Sequence, residues 1–230
     1  LHYSTNREKV DNSGLVLIDA GAEFNMYSSD VTRTFPINGK FSSPQKDVYQ
    51  EVLKAQTLGI NSVNTKNTMS DIHKSTVSSI SQSLVDLGLV PMGVDETISM
   101  MHYFEFFMHG TGHWLGLDVH DAGSVEENNK PRKLMPGMVT TVEPGIYIRP
   151  NKPEIEFKLL ERDPKEIRER RKLLGMEKAT KLENEEIKDA KSIKHKIPKD
   201  LLGIGIRIED DIVCTDDETI NLTEEAPKSI

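Results

Sequence analysis

The stretch "GLVLIDAGAEFNMYSSDVTRTFPI", residues 14–37, reads as two strands folded back on each other. "GLVLIDAG" is an apolar run closed by glycine, the pattern of a buried strand. After a short turn, "SDVTRTFPI" (29–37) sets Val31, Arg33 and Phe35 in alternation with Thr and Pro, a returning strand. Such a hairpin places Asp19, at the end of the first strand, near Asp30, at the start of the second. Further on, Ser43 and Pro44 read as the N-cap and first position of a helix whose face Val48, Val52 and Ala55 mark to about Val63. Ser70 is expected to cap a second helix, with Ile72, Ile80, Leu84 and Leu87 apolar and Gly88 just past its end. "MVTTVEPGIYI" (138–148) and "GIGIRIEDDIVCT" (203–215) are rich in β-branched residues and read as strands. A hairpin, two helices and then more strands is an α+β order rather than a βαβ repeat.

The chain has 230 residues, enough to bury a sizeable core. No apolar run approaches the ~18 residues of a membrane span, and "LHYSTNREKV" lacks the apolar core of a signal peptide. The single cysteine, Cys214, excludes a disulfide framework and suits a reducing, cytoplasmic compartment. A net charge of −8 argues against nucleic acid as a partner. Residues 151–200 stand apart: 27 of the 50 are charged, 15 basic against 12 acidic, so their net is +3 and the remaining 180 residues carry −11. Strong helix formers with i,i+4 opposite charges and little apolar surface make this an exposed helical or partly disordered insertion.

Three of the seven histidines fall in "HGTGHWLGLDVHD", 109–121. His109 and His113 have the spacing of H-E-x-x-H, but Gly110 stands where that motif needs its glutamate, and two glycines weaken any helix there. A strand or tight loop fits better. In a strand His113 and His120 face opposite sides unless the chain bends, and Gly116 could supply the bend. An iron triad using a His pair and Asp118 is conceivable. The GxG in "GIGIRIE" and in "GTGHWLG" lacks the third glycine of a dinucleotide site.

Asp19 ends an apolar strand, Asp30 opens the returning one, and Glu143 and Glu209 lie inside strand runs. Buried carboxylates are costly unless paired or bound to metal. Arg33 or Arg207 could match one of them, whereas two dications would nearly neutralise all four. An oxygen-rich shell with one imidazole favours hard ions such as Mn2+ over structural zinc. On the residues alone, a dinuclear site and ordinary ion pairing both stay open.

"LVLIDAG", "SDVTRTFP", "FFMHGTGHWLGLDVHD", "MPGMVTTVEPGIYI" and "GIGIRIEDDIV", in this order, closely resemble Xaa-Pro aminopeptidases (aminopeptidase P). These are pita-bread metallopeptidases, together with prolidase and methionine aminopeptidase. The resemblance implies a curved antiparallel sheet covered by helices. It also implies one catalytic domain over 1–230 that lacks its N-terminal part and carries the charged insertion. Carried over by motif position, two divalent metal ions are held by Asp19, Asp30, His113, Glu143 and Glu209, with Asp30 and Glu209 bridging. His2, His109 and His120 match substrate-binding histidines, and Arg207 matches an arginine that steadies the acids. A shared hydroxide would attack the bond before proline, with His109 and His120 stabilising developing charge and Glu143 moving the proton. The partners implied are peptides with proline at the second position, with no nucleic acid and no membrane; self-association is left open. Trp114 is a candidate for the pocket or for core packing. Prolidase, which takes only dipeptides, is the nearest alternative, followed by a non-catalytic pita-bread binding module.

Overall fold

The computed structural model describes residues 5, 7–10, 12–159 and 164–230. Strand β1 (Leu15–Ala20) leads through the two-residue strands β2 (Glu23–Phe24) and β3 (Tyr27–Ser28) into β4 (Val31–Pro36). β1 and β4 pair antiparallel, with Asp19 opposite Thr32. Helix α1 (Ser43–Asn61) follows, then α2 (Met69–Asp86) and the short α3 (Val94–Ser99). A small hairpin, β5 (Glu126–Glu127) with β6 (Lys130–Pro131), precedes β7 (Val139–Val142) and β8 (Gly145–Tyr147). β9 (Glu154–Leu159), helices α4 (Pro164–Leu174) and α5 (Met176–Asp189), and β10 (Lys191–Lys196) form the charged region. β11 (Gly205–Arg207), β12 (Asp210–Val213) and β13 (Ile220–Asn221) complete the order. Every strand pair among the described residues is antiparallel, and the ladders are short.

The breaks have local causes. Pro144 has no N–H to donate, so the strand expected over 138–148 divides into β7 and β8. Opposite it, the run 203–215 divides at Ile208 and Glu209. Ile208 N donates to Pro144 O (3.3 Å) and Glu209 N to Thr32 O (3.1 Å), so hydrogen bonding passes from β8 towards β4 at this point. Both breaks fall at a sequence acid, Glu143 or Glu209.

One face of the sheet is closed by α1, whose Val48, Val52 and Ala55 are fully buried. They share a core with Ile80, Leu84, Phe106, Phe107, Ile146, Ile206 and Ile208. A smaller cluster joins Val63, Ile72, Leu134, Val142, Ile212 and Cys214, and Trp114 packs against it. Trp114 is therefore core packing rather than pocket lining. Among the described residues no helix is long and apolar enough to cross a membrane.

Three expectations need correction. The N-cap of α1 is Ser42, not Ser43; its hydroxyl accepts from Gln45 N while Gln45 reaches back to the Ser42 N–H. The cap of α2 is Thr68, not Ser70, again as a reciprocal box, here with Asp71. In both cases the residue three positions on completes the box, which outweighs the nearness of a hydroxyl to the apolar pattern. Gly88 does end α2, with φ +66°, a conformation that glycine adopts without strain. Finally, 151–200 is not all insertion. β9 and β10 pair along six residues, and Ile155, Phe157 and Ile197 are buried in the main core. Only the helical hairpin α4–α5 projects, tied internally by Arg171 and Glu183 (2.8 Å).

Replacing Thr68 with Ala should cost about 1 kcal/mol in denaturant unfolding, whereas Ser70→Ala, at an exposed position, should leave stability within experimental error. Equal effects from the two would contradict the cap assignment.

Candidate metal centre

Four separate segments bring three acids and a histidine together. Asp30 comes from the start of β4, Glu143 from the break after β7, and Glu209 from the break before β12. His113 lies on a segment running beside β7, where Thr141 N donates to His113 O (3.0 Å) and Glu143 N to Thr111 O (2.7 Å). The glycine-rich stretch is thus extended, as expected, and not helical. Ligand atoms of Asp30, His113 and Glu209 all lie within 4.8 Å of one another, the one grouping among the described residues suited to a metal ion. His113 Nε2 is 3.5 Å from Asp30 Oδ2 and 3.6 Å from Glu143 Oε1. Asp118 is outside this grouping, which removes the basis for the iron triad.

Asp19 enters differently. It is the most exposed of the four acids, and Arg207 NH2 holds its Oδ2 at 2.5 Å. Burial, and after it the neighbouring Asp30 carboxylate, push its pKa up, against the pull of Arg207. Arg207 reaches Thr32 Oγ1 (3.1 Å) and Tyr147 OH (3.2 Å) with its remaining nitrogens, so it borders the acid cluster without filling it. Thr32 Oγ1 in turn donates to Glu209 Oε2 (2.5 Å).

The histidines divide. The rings of His113 and His120 are 4.1 Å apart between centroids, so the chain does bend between them. Gly116 lies in that bend, where a Cβ would fall 2.3 Å from an Asp121 carboxylate oxygen. His109 Nδ1 donates to the Gly110 carbonyl (2.8 Å), which can only accept. Its Nε2 therefore accepts from Tyr147 OH (2.8 Å). Burial holds the His109 pKa down at about 4, so the ring is neutral near pH 7 and has no N–H left for a substrate in this arrangement. His2 lies outside the described residues.

Sequence reasoning missed Tyr147, which links Arg207 to His109. It alternates with the buried Ile146 and Ile148, and that alternation was a readable sign that it faces the other side. It also missed Asp211, which is buried. Asp211 Oδ2 accepts the Asp30 N–H (3.0 Å), while Oδ1 is buried without a partner.

The electrostatics fit a cation. Burial pushes Glu143 up to about 7. Burial and the Glu143 charge push Glu209 up to about 8. Burial opposes charge on His113, yet its hydrogen bond to Asp30 carries it up to about 9. Asp30 is held low despite burial by its bonds to His113 and Asp19. Protons thus supply the positive charge that the acids need, and a metal would replace them, His113 becoming neutral to ligate. Orphaned Asp211 Oδ1, the crowded carboxylates and one imidazole suit a hard divalent ion.

Glu143, Glu209 and His113 bind protons more tightly in the folded chain, with pKa values of about 7, 8 and 9 against ordinary values of 4.5, 4.5 and 6.5. Their stabilisation is complete below the ordinary values and is lost as pH rises through the folded ones. His109, lowered to about 4 from 6.5, acts only below that range. The metal-free chain should therefore melt lower at pH 9 than at pH 6.5, and Mn2+ should restore the loss while releasing protons. A melting temperature independent of pH without metal would contradict this.

The model of metallopeptidase family M24 matches residues 1–216. The Xaa-Pro aminopeptidase of Haemophilus influenzae is 40% identical over all of this chain and 43% of its own length. That of Escherichia coli is 37% identical over 99% of this chain and 42% of its own. The solved structure of Pseudomonas aeruginosa aminopeptidase PepP superposes with a TM-score of 0.79 at 37% identity, covering 100% of this chain and 42% of that one. The chain thus spans less than half the length of these relatives. The fold is the pita-bread fold, α+β with antiparallel strands and helices, as expected from the sequence. The chain belongs to metallopeptidase family M24.

Proposed function

We propose that the chain carries the catalytic site of an Xaa-Pro aminopeptidase, which removes an N-terminal residue preceding proline. The observation that carries this reading is the convergence of Asp30, His113 and Glu209 within 4.8 Å beside Glu143 and Asp19. It is supported by full-chain similarity to proteins named Xaa-Pro aminopeptidase. On this reading residues 1–230 are one catalytic domain. Asp19, Asp30, His113, Glu143 and Glu209 would hold two divalent ions, Mn2+ by the hardness of the donor set. When bound, such ions lower the pKa of water and polarise a carbonyl.

The residues of the chain supply the rest. Glu143, whose Oε1 lies 3.6 Å from His113 Nε2, accepts the proton of the attacking water and passes it towards the proline nitrogen. His120, exposed beside His113, donates to the charge developing on the carbonyl oxygen. His109 acts through Tyr147, fixing the hydroxyl that Arg207 also holds. Asp19 receives the free α-amino group. Proline's nitrogen has no N–H, so the site needs no acceptor for it.

Asp30→Ala or Glu209→Ala should abolish bound metal and Xaa-Pro cleavage together; full activity in either would refute the ligand assignment. His120→Ala should keep the metal and lose turnover by roughly 10²–10³. Cleavage of Xaa-Pro-Xaa tripeptides distinguishes this activity from prolidase. Hydrolysis of Xaa-Pro dipeptides alone would favour prolidase, and intact metal binding without either cleavage a binding module.

A further inference from the structure

The strand pairing leaves a mechanical question. Asp30 immediately precedes β4, which is laddered only to β1, whereas Glu209 lies between β11 and β12, which are laddered to β8, β7 and β13. Two acids that must meet one ion therefore adjoin strands that no ladder joins. The main chain contributes one bond between them, Glu209 N to Thr32 O (3.1 Å). Thr34 adds side-chain bonds to the Arg207 carbonyl (3.0 Å) and N–H (3.2 Å).

Arg33 closes this junction from the side opposite Thr32 and Thr34. It is only 5% exposed, and each of its five N–H donors has an acceptor. NH1 donates to Thr32 O (2.9 Å) and Glu209 O (2.6 Å), clamping the two strands at the residues that carry the site. NH2 donates to Asp210 Oδ1 (2.6 Å) and Ala226 O (2.9 Å), and Nε to Pro227 O (3.2 Å). Asp210, with no exposed surface, is held further by Gln56 (2.8 Å), Asn221 (2.9 Å), Thr223 (3.0 Å) and Lys228. Tyr49 OH donates to Lys228 O (3.0 Å), fastening the C-terminal segment to α1.

We infer that Arg33 is a positioning residue. With Asp210 and the carbonyls of Ala226 and Pro227, it sets the separation of Asp30 and Glu209 and so the metal affinity of the site. The inference rests on the metal-site reading above. None of its atoms touches a ligand atom of the cluster; it acts through the backbone of Thr32 and Glu209. A lysine keeps the charge but offers three donors on a flexible stem in place of a planar fork of five.

The test is Mn2+ titration by calorimetry on the full chain, with Arg33→Lys compared at a temperature where both are folded. Arg33→Lys should weaken Mn2+ binding about 10-fold or more. It should also alter the exchange-coupled Mn2+ signal in electron paramagnetic resonance. A merely structural role would lower the melting temperature and leave both readouts as in the unaltered chain, and that result would overturn the inference. Should Arg33→Lys fail to fold, deletion of residues 226–230 removes two of the five acceptors. Weaker Mn2+ binding there supports the clamp, and unaltered affinity overturns it. Absence of Mn2+ binding by the unaltered chain would instead overturn the metal-site reading, and the clamp with it.

Discussion

Repulsion among buried carboxylates is the constraint on which this structure turns. Asp30, Glu143 and Glu209 meet around one imidazole, with Asp19 and Asp211 at their edge. Two like charges 4 Å apart cost about 4 kcal/mol at an effective dielectric constant of 20, and several such pairs exceed what a domain of this size can spare. Counter-charge must enter. Arg207 supplies some to Asp19, and Arg33 is already committed to Asp210. Protons on Glu143, Glu209 and His113 supply the rest when no metal is bound. On our reading divalent ions take that place, which is why a chain with so many acids directed inward can fold around them.

The backbone is arranged to serve that cluster. An unbroken ladder would point successive side chains to alternate faces and keep neighbouring strands in fixed register. Here the strands break at Glu143–Pro144 and at Ile208–Glu209, and each break frees an acid to turn inward. What the ladders no longer hold, side chains do. Thr32, Thr34, Arg33 and Arg207 join β4 to the β11–β12 run. Sheet continuity is exchanged for a convergent site, and buried polar bonding replaces it.

Much of this was legible in the sequence. Acids at the ends of or inside strand runs, and a histidine in a stretch too rich in glycine for a helix, included Asp30, Glu143, Glu209 and His113, whose side chains the fold brings together. The hairpin 14–37 was readable because each strand carries its own apolar pattern. What escaped depended on partners distant in sequence or on backbone detail. Thr68 outranks Ser70 because Asp71 answers it, a reciprocal bond invisible to a search for the nearest hydroxyl. The ends of 151–200 looked polar throughout, yet Ile155 and Phe157 alternate with charges and supply core. His109 could not be separated from His120 by motif position, because the difference lies in its bonds to Tyr147 and Gly110.

The most direct measurement is anomalous diffraction at the manganese edge from crystals of this chain equilibrated with Mn2+. Two peaks about 3.5–4 Å apart are expected among the side chains of Asp19, Asp30, His113, Glu143 and Glu209. Acids held by protons or by a lysine or arginine side chain, with no anomalous peak among them, would contradict it.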